Sequence, residues 1–283
     1  DLKLDYLAGL RDVGFNRLSI GMQSAQPHIL KLFNREHTLQ EVNDAVANAR
    51  FAGFKNISLD LIFGVPEQTL ENWRDTLRQA VGHDIEHISL YNLILEGNTP
   101  LEAQISAGAL PSPDDDLAAD MYDLATEYLA ESGFEQYEIS NWAKPSYESV
   151  HNLQYWRNLP YLGLGPGAHG YANDTRTIVL RAPQKYIQVL KDIPEVQMIF
   201  PRTPALSKAV HVNRSSVISD TIMIGLRLMR EGISREAFKK RFGVDLVELK
   251  PQPIQKFVDY GLLHVTDERV MLTQDARLIS NAV

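Results

Sequence analysis

The sequence predicts an α/β protein: a parallel sheet with helices over residues 1–200, forming part of a (β/α) barrel, then a small α+β module over residues 201–283. Three observations predict it. Short apolar runs alternate with amphipathic stretches, and the candidate strands recur every 30 to 40 residues up to about residue 180. The texture changes after Pro201–Pro204, where helices come close together and end in a hairpin. Finally, 283 residues with 44% apolar side chains are enough to bury one large core and a smaller one.

Leu2–Gly14 reads as a helix running into the first strand, 17–22, RLSIGM. Helical patterning follows at Pro27–Phe33 and Leu39–Ala52. The second strand, 56–65, is NISLDLIFGV; its β-branched and aromatic content reads as buried, and Gly64-Val65-Pro66 closes it in a structural role. Thr69 offers an N-cap for a helix over Leu70–Gly82, and HISLYNLIL (87–95) is the third strand. A turn at Leu110–Asp116 opens a helix through Ser132, where the Asp114-Asp115-Asp116 run complements the positive end of the helix dipole. FEQYEIS (134–140) and YLGLGPGA (161–168) supply two further strand candidates. Beyond residue 201, helices over Val217–Met229, Ser234–Arg241 and Pro253–Tyr260 precede a hairpin, 262–273, turning at Asp267-Glu268. Three helices and a hairpin make a winged-helix-like module.

Charge excludes some functions. The net charge is −8, but residues 1–200 carry 15 Lys and Arg against 27 Asp and Glu, and residues 201–283 carry 13 against 9. An acidic main body argues against nucleic acid as the main partner, since phosphate neutralisation needs a concentrated basic face. No apolar run approaches the roughly 20 residues that span a bilayer, so no integral membrane segment is expected and a cytoplasmic location is the default. The chain has no cysteine, which removes disulfides and thiolate metal sites. His83 and His87 stand four apart, but Gly82 and Asp84 place His83 in a loop, so a metal site there is not expected.

Candidate ligand-binding residues fall at strand ends, where (β/α) folds carry their sites. Gln23 closes the first strand, Arg35 follows twelve residues later in NREHT, and Asp60 lies in ISLDLIFG. A guanidinium binds a carboxylate bidentately, while a carboxylate and an amide suit hydroxyls and an amino group. The other dense stretch is YEISNWAKPSYESVHNLQYWRNLPYLGLGPGAHGY, 137–171. If residues 147–156 are helical, His151 and Tyr155 share a face at i, i+4, and Asn152 and Trp156 form the adjoining pair.

His151-Asn152-Leu153-Gln154-Tyr155-Trp156 resembles the HNxxYW signature of the HemW haem chaperones, relatives of the oxygen-independent coproporphyrinogen III oxidases within the radical S-adenosylmethionine (SAM) proteins. SIGMQS, the NRE triplet and DLIFGVPEQT match the same family at its spacing, across essentially the whole chain. The resemblance implies that Gln23, Arg35, Asp60 and Tyr91 contact SAM, and that His151, Asn152, Tyr155 and Trp156 contact haem, with His151 as the iron ligand and Arg157 near a propionate. His169 is a second candidate ligand, read instead as closing the Gly-rich turn. The [4Fe–4S] cluster of such proteins is held by cysteines that this chain lacks; it reads as a piece of a longer parent, with the cluster motif upstream of Asp1, and by itself is expected to generate no radical. The first expectation is therefore a carrier that binds haem and passes it to an acceptor protein, with a homodimer compatible. The alternatives are oxidative decarboxylation of coproporphyrinogen III, and a nucleic-acid-binding module in residues 201–283.

Overall fold

In the computed structural model, which describes residues 2–191, 199–280 and 283, the chain divides into two compact units, 2–148 and 149–283. The change of texture at residue 201 falls inside the second unit.

The first unit runs α1 (Leu4–Asp12), β1 (Leu18–Gln23), α2 (Pro27–Leu32), α3 (Leu39–Phe51), β2 (Ile57–Phe63), α4 (Leu70–Val81), β3 (His87–Asn92), α5 (Pro100–Ser106), α6 (Asp115–Glu131), β4 (Glu135–Glu138) and β5 (Asn141–Ala143). Its open sheet has the order β1-β2-β3-β5-β4. β1, β2 and β3 are parallel, as the strand–helix alternation requires, whereas β5 runs antiparallel to both β3 and β4. That reversal corrects the expectation of a wholly parallel sheet: only two residues separate β4 from β5, too few for a crossover, so the chain must turn straight back.

Local signals set the helices. Thr69 caps α4 by accepting from the Asn72 amide at 3.1 Å, and the Asn72 side chain accepts in return from the Thr69 amide at 3.3 Å. Asp114 caps α6, accepting from Asp116 and Leu117 amides at 3.0 and 3.1 Å. The apolar faces of α3, α4 and α6 then cover one side of the sheet, burying Val46, Trp73, Leu77, Met121 and Leu129 against Leu59, Leu61 and Leu90. At about 25 cal/mol per Å² of apolar surface, this side is the main stabilising mass of the unit.

The second unit runs α7 (Val150–Trp156), β6 (His169–Ala172), β7 (Thr175–Val179), α8 (Pro183–Lys191), β8 (Leu206–His211), α9 (Arg214–Gly225), β9 (Ile233–Ser234), α10 (Arg235–Phe242), α11 (Leu246–Leu249), α12 (Pro251–Asp259), β10 (Leu263–Val265) and β11 (Arg269–Leu272). The expected strand over 161–168 is absent: the segment is a loop touching β6 through one bridge, Tyr161 to Tyr171. Gly165 and Gly167 adopt φ +93° and +76°, which a strand cannot contain, and β6, β7 and β8 form an antiparallel sheet after it. From α9 onward the order helix–strand–helices–hairpin, with β11 between β9 and β10, has winged-helix connectivity. Val217, Ile233, Phe238, Phe242, Ile254 and Val270 form its core. Among the described residues, no helix is long and apolar enough to cross a membrane.

Candidate functional site

The helix-covered side of the first sheet is apolar, and the opposite side is polar. Side chains alternate along a strand, so Ser19 and Gly21 of β1, Ser58 and Asp60 of β2, and His87, Ser89 and Tyr91 of β3 share that second side. Register joins them laterally, with Gly21 opposite Asp60 and Asp60 opposite Ser89. Here the sequence reading missed a legible signal. SxG, SxD and SxY place a polar or small residue at every second position of three strands, a two-residue period inside runs read as continuously apolar.

Three of the four residues expected to hold SAM gather on this side. Asp60 accepts from the Ser19 hydroxyl at 2.8 Å, which orients its carboxylate. Gln23 sits at φ +64°, and its side chain folds back over Gly21: a Cβ on Gly21 would lie 2.6 Å from the Gln23 amide nitrogen. The missing side chain at Gly21 thus lets the Gln23 amide lie down on the polar side, next to the strand position of Asp60. Tyr91, 46% exposed, stands two residues beyond Ser89 on the same side. Partial burial, and then the Asp60 charge, push its phenol up from the ordinary value. Arg35 is exposed in the loop after α2 and makes no described contact with the other three. The loop is tied to the end of β1 two residues on, where the His37 ring bonds the Met22 carbonyl at 3.2 Å.

Deeper on this side lies a group the sequence did not announce. His87 is fully buried, with Nδ1 2.8 Å from the Ser58 hydroxyl and Nε2 2.8 Å from the Tyr137 hydroxyl. Burial, and then the nearby Arg17 charge, lower its pKa to about 3, so the ring is neutral at pH 7. The Arg17 Nε is buried without a partner. Glu138, also buried, accepts from the Ser140 amide at 2.9 Å and from the Asn141 side chain. Among the described residues no cluster of His, Asp and Glu has the geometry of a metal site.

In the second unit the HNLQYW segment is helical. Ser149 caps α7 by accepting from the Asn152 amide at 3.3 Å, and Asn158 ends it in the left-handed region at φ +49°. The i, i+4 spacing brings His151 and Tyr155 together. The Tyr155 hydroxyl lies 2.9 Å from His151 Nε2, and the two rings meet edge to face at 4.7 Å. Tyr155 also meets Tyr161 edge to face at 4.5 Å, a partner that sequence spacing could not disclose. Burial, then Tyr155, raise the Tyr161 phenol. Val150, Leu162 and Leu164 in the same stretch are 79%, 61% and 85% exposed, so the histidine is flanked along the chain by uncovered apolar side chains. His169 begins β6 and is exposed; its carbonyl lies where a Gly163 Cβ would point, 2.4 Å away, which is the close backbone approach expected of the Gly-rich turn.

Arg157 is bound to protein, not free for a propionate. Its Nε and NH2 donate to the two Glu231 carboxylate oxygens at 2.8 Å each, which holds Glu231 below the usual carboxylate range. The Asn158 side chain donates to the Thr221 hydroxyl at 2.9 Å, and Arg241 donates to the Asn158 carbonyl at 2.8 Å. These ties fasten the end of α7 to α9 and α10.

Residues 1–80 match the Radical SAM superfamily and residues 213–279 the HemN C-terminal domain. The chain is 35% identical over 283 residues to the heme chaperone HemW of Bacillus subtilis, covering all of this chain and 72% of that protein. It is 31% identical to heme chaperone HemW of Lactococcus lactis, with the same coverage. A mitochondrial radical S-adenosyl methionine domain-containing protein 1 of Mus musculus is 44% identical over 164 residues, 58% of this chain and 37% of that one. Among solved structures, the coproporphyrinogen III oxidase HemN of Escherichia coli, a radical SAM enzyme, superposes with a TM-score of 0.77 at 21% identity, over 99% of this chain and 65% of that chain. At that identity the likeness speaks for the fold alone.

Proposed function

We propose, from the chain's place in the HemW family of radical SAM proteins, to which it belongs, that it is a haem carrier that binds haem at α7 and releases it to an acceptor protein. The observation that carries this reading is the exposed His151–Tyr155 pair, backed by half-buried Tyr161 and flanked by uncovered Val150, Leu162 and Leu164. An imidazole can ligate haem iron, and aromatic and aliphatic side chains can cover a porphyrin face. The exposure suits a carrier, which must give its cargo up; an enclosed pocket would hold it. Tyr155 occupies Nε2 of the free ring, so its hydroxyl must turn aside if that nitrogen takes the iron.

SAM fits the polar side of the first sheet in the chemistry of its donors. Asp60 would accept from the ribose hydroxyls or the amino group, the Gln23 amide would pair beside it, Arg35 would take the methionyl carboxylate, and Tyr91 would stand by the adenine. SAM, when bound, supplies a sulfonium. This chain's own residues would hold that molecule, with Asp60 oriented for it by Ser19. An iron–sulfur cluster does not fit the residues present, because the chain has no thiolate to offer. No step is assigned to it.

The oxidase alternative has in its favour only the likeness of fold to HemN. The nucleic-acid alternative is disfavoured by the winged-helix surfaces. α12, in the position of a recognition helix, has Lys256 as its one basic residue, and the hairpin turn carries Asp267 and Glu268. Haem titration followed by Soret absorbance tests the carrier reading. The protein is expected to bind haem and His151→Ala to bind it at least about tenfold more weakly with a shifted band. An unchanged band and affinity in the variant would remove His151, and turnover of coproporphyrinogen by the full-length parent, with its cluster cysteines, would replace the carrier by the oxidase.

A further inference from the structure

Trp156 faces away from the His151–Tyr155 pair. The two ends of that relation are five residues apart in α7, about 140° around the helix. Trp156 lines a cavity of about 420 Å³ within the second unit, a size that buries most of a small organic ligand. Leu159, Leu228, Ile233, Phe238 and Phe242 give it an apolar and aromatic wall. Arg157, Arg241, Arg269 and Glu231 also line it, three guanidiniums against one carboxylate. Arg157 spends its fork on Glu231, but Arg241 and Arg269 each donate to carbonyls and keep further N–H groups. An apolar, ring-lined space with a net of two positive charges is complementary to a flat apolar body carrying two carboxylates. No His, Met, Tyr or Cys lines it, so the lining offers none of the side chains that usually ligate haem iron.

We propose that this cavity is a second, iron-independent station for a porphyrin, entered by its carboxylate-bearing edge and separate from the His151 site. The identity of the ligand as a porphyrin rests on the haem-carrier reading; the cavity's preference for an apolar dicarboxylate rests on its lining alone. Such a station would let α7 engage the macrocycle on the Trp156 side before or after iron meets His151.

Iron-free protoporphyrin IX separates the two sites, because it cannot use His151 as an iron ligand. The whole chain is titrated and porphyrin emission is followed. The wild type and His151→Ala are expected to bind protoporphyrin IX equally. Ala237→Phe, which fills the cavity from an exposed position of α10, is expected to weaken it by at least about tenfold, and Ala237→Leu by less. A melt of each variant checks that it folds, and Ala237→Leu carries the test if the larger side chain disturbs α10. Equal binding by the wild type and Ala237→Leu, or loss of binding in His151→Ala, overturns the proposal. Soret titration with haem distinguishes the failures. Haem binding that depends on His151, without protoporphyrin binding, leaves the carrier reading standing and removes the cavity site. Protoporphyrin binding that depends on Ala237, without haem binding, does the reverse.

Discussion

His87 shows how much one buried ring can govern. Its nitrogens lie 2.8 Å from Ser58 and Tyr137 hydroxyls, each able to donate or accept, so the neutral ring is satisfied in either tautomer, and burial, then the Arg17 charge, disfavours the charged one. Its folded pKa of about 3 lies below the ordinary 6.5, so the unfolded chain takes the proton more readily. Stability from the neutral ring is therefore complete above pH 6.5 and is lost as pH falls from there toward 3. By pH 5 the loss is about 2 kcal/mol. Glu231 and Asp245, whose pKa values are lowered by Arg157 and Arg235, lose their contributions only below the carboxylate range, so the window above it belongs to histidine. His83 shifts the same way by burial, and a difference between variants cancels it. The wild-type melting temperature is expected to fall more steeply than that of His87→Gln between pH 7 and roughly 5; parallel pH profiles would show that the ring carries no such linkage.

At the scale of elements, α7 depends on its ends. Seven residues are too few for a helix to persist in water by itself, so cap and ties must hold it. Asn158 does most at the C-terminal end: its φ of +49° ends the helix, its buried amide reaches Thr221, and its carbonyl takes Arg241. Asn158→Ala is expected to cost about 2 kcal/mol, from left-handed strain in alanine and the lost hydrogen bonds. The same variant is expected to weaken haem binding, since the His151–Tyr155 face would no longer be held. A chemical-denaturation curve and a Soret titration of this variant read both effects; an unaltered midpoint would mean that α7 is held elsewhere. How much of this was legible in the sequence follows the same division. The caps Thr69 and Asp114, the helix over HNLQYW and the alternation of strands and helices are local signals, and local signals can be read. β5, β6 and β7 were missed because strands of three to five residues carry too few for a period to emerge, and β8, six residues long, because it has no buried face to mark one. The 161–168 strand was expected wrongly because alternating Leu and Gly mimics a strand while Gly165 and Gly167 turn the backbone out of one. Arg157 on Glu231 and His87 between Ser58 and Tyr137 are contacts across long stretches of chain, which no spacing encodes, and Tyr161 reaches Tyr155 only through the turn that follows α7.

For the whole molecule, the proposed SAM and haem sites fall in different compact units, each with its own core. Asp60, Gln23 and Tyr91 stand on strands of the first, where the polar side of the sheet is backed by Leu59, Leu61 and Trp73. His151, Tyr155 and Trp156 stand on a helix fastened to the core of Val217, Phe238 and Phe242 in the second. A substitution that leaves a core intact changes only the ligand its own unit holds, unless the two ligands are coupled, and any coupling must act equally in both directions. Asp60→Asn keeps the shape of the side chain and removes its charge, so it is expected to weaken SAM binding about tenfold in equilibrium dialysis. The Soret titration of the same variant without SAM is expected to match the wild type. Should Asp60→Asn weaken haem binding as strongly as His151→Ala does, the two sites would be one, and the assignment of SAM to the strand ends and haem to α7 would fall together.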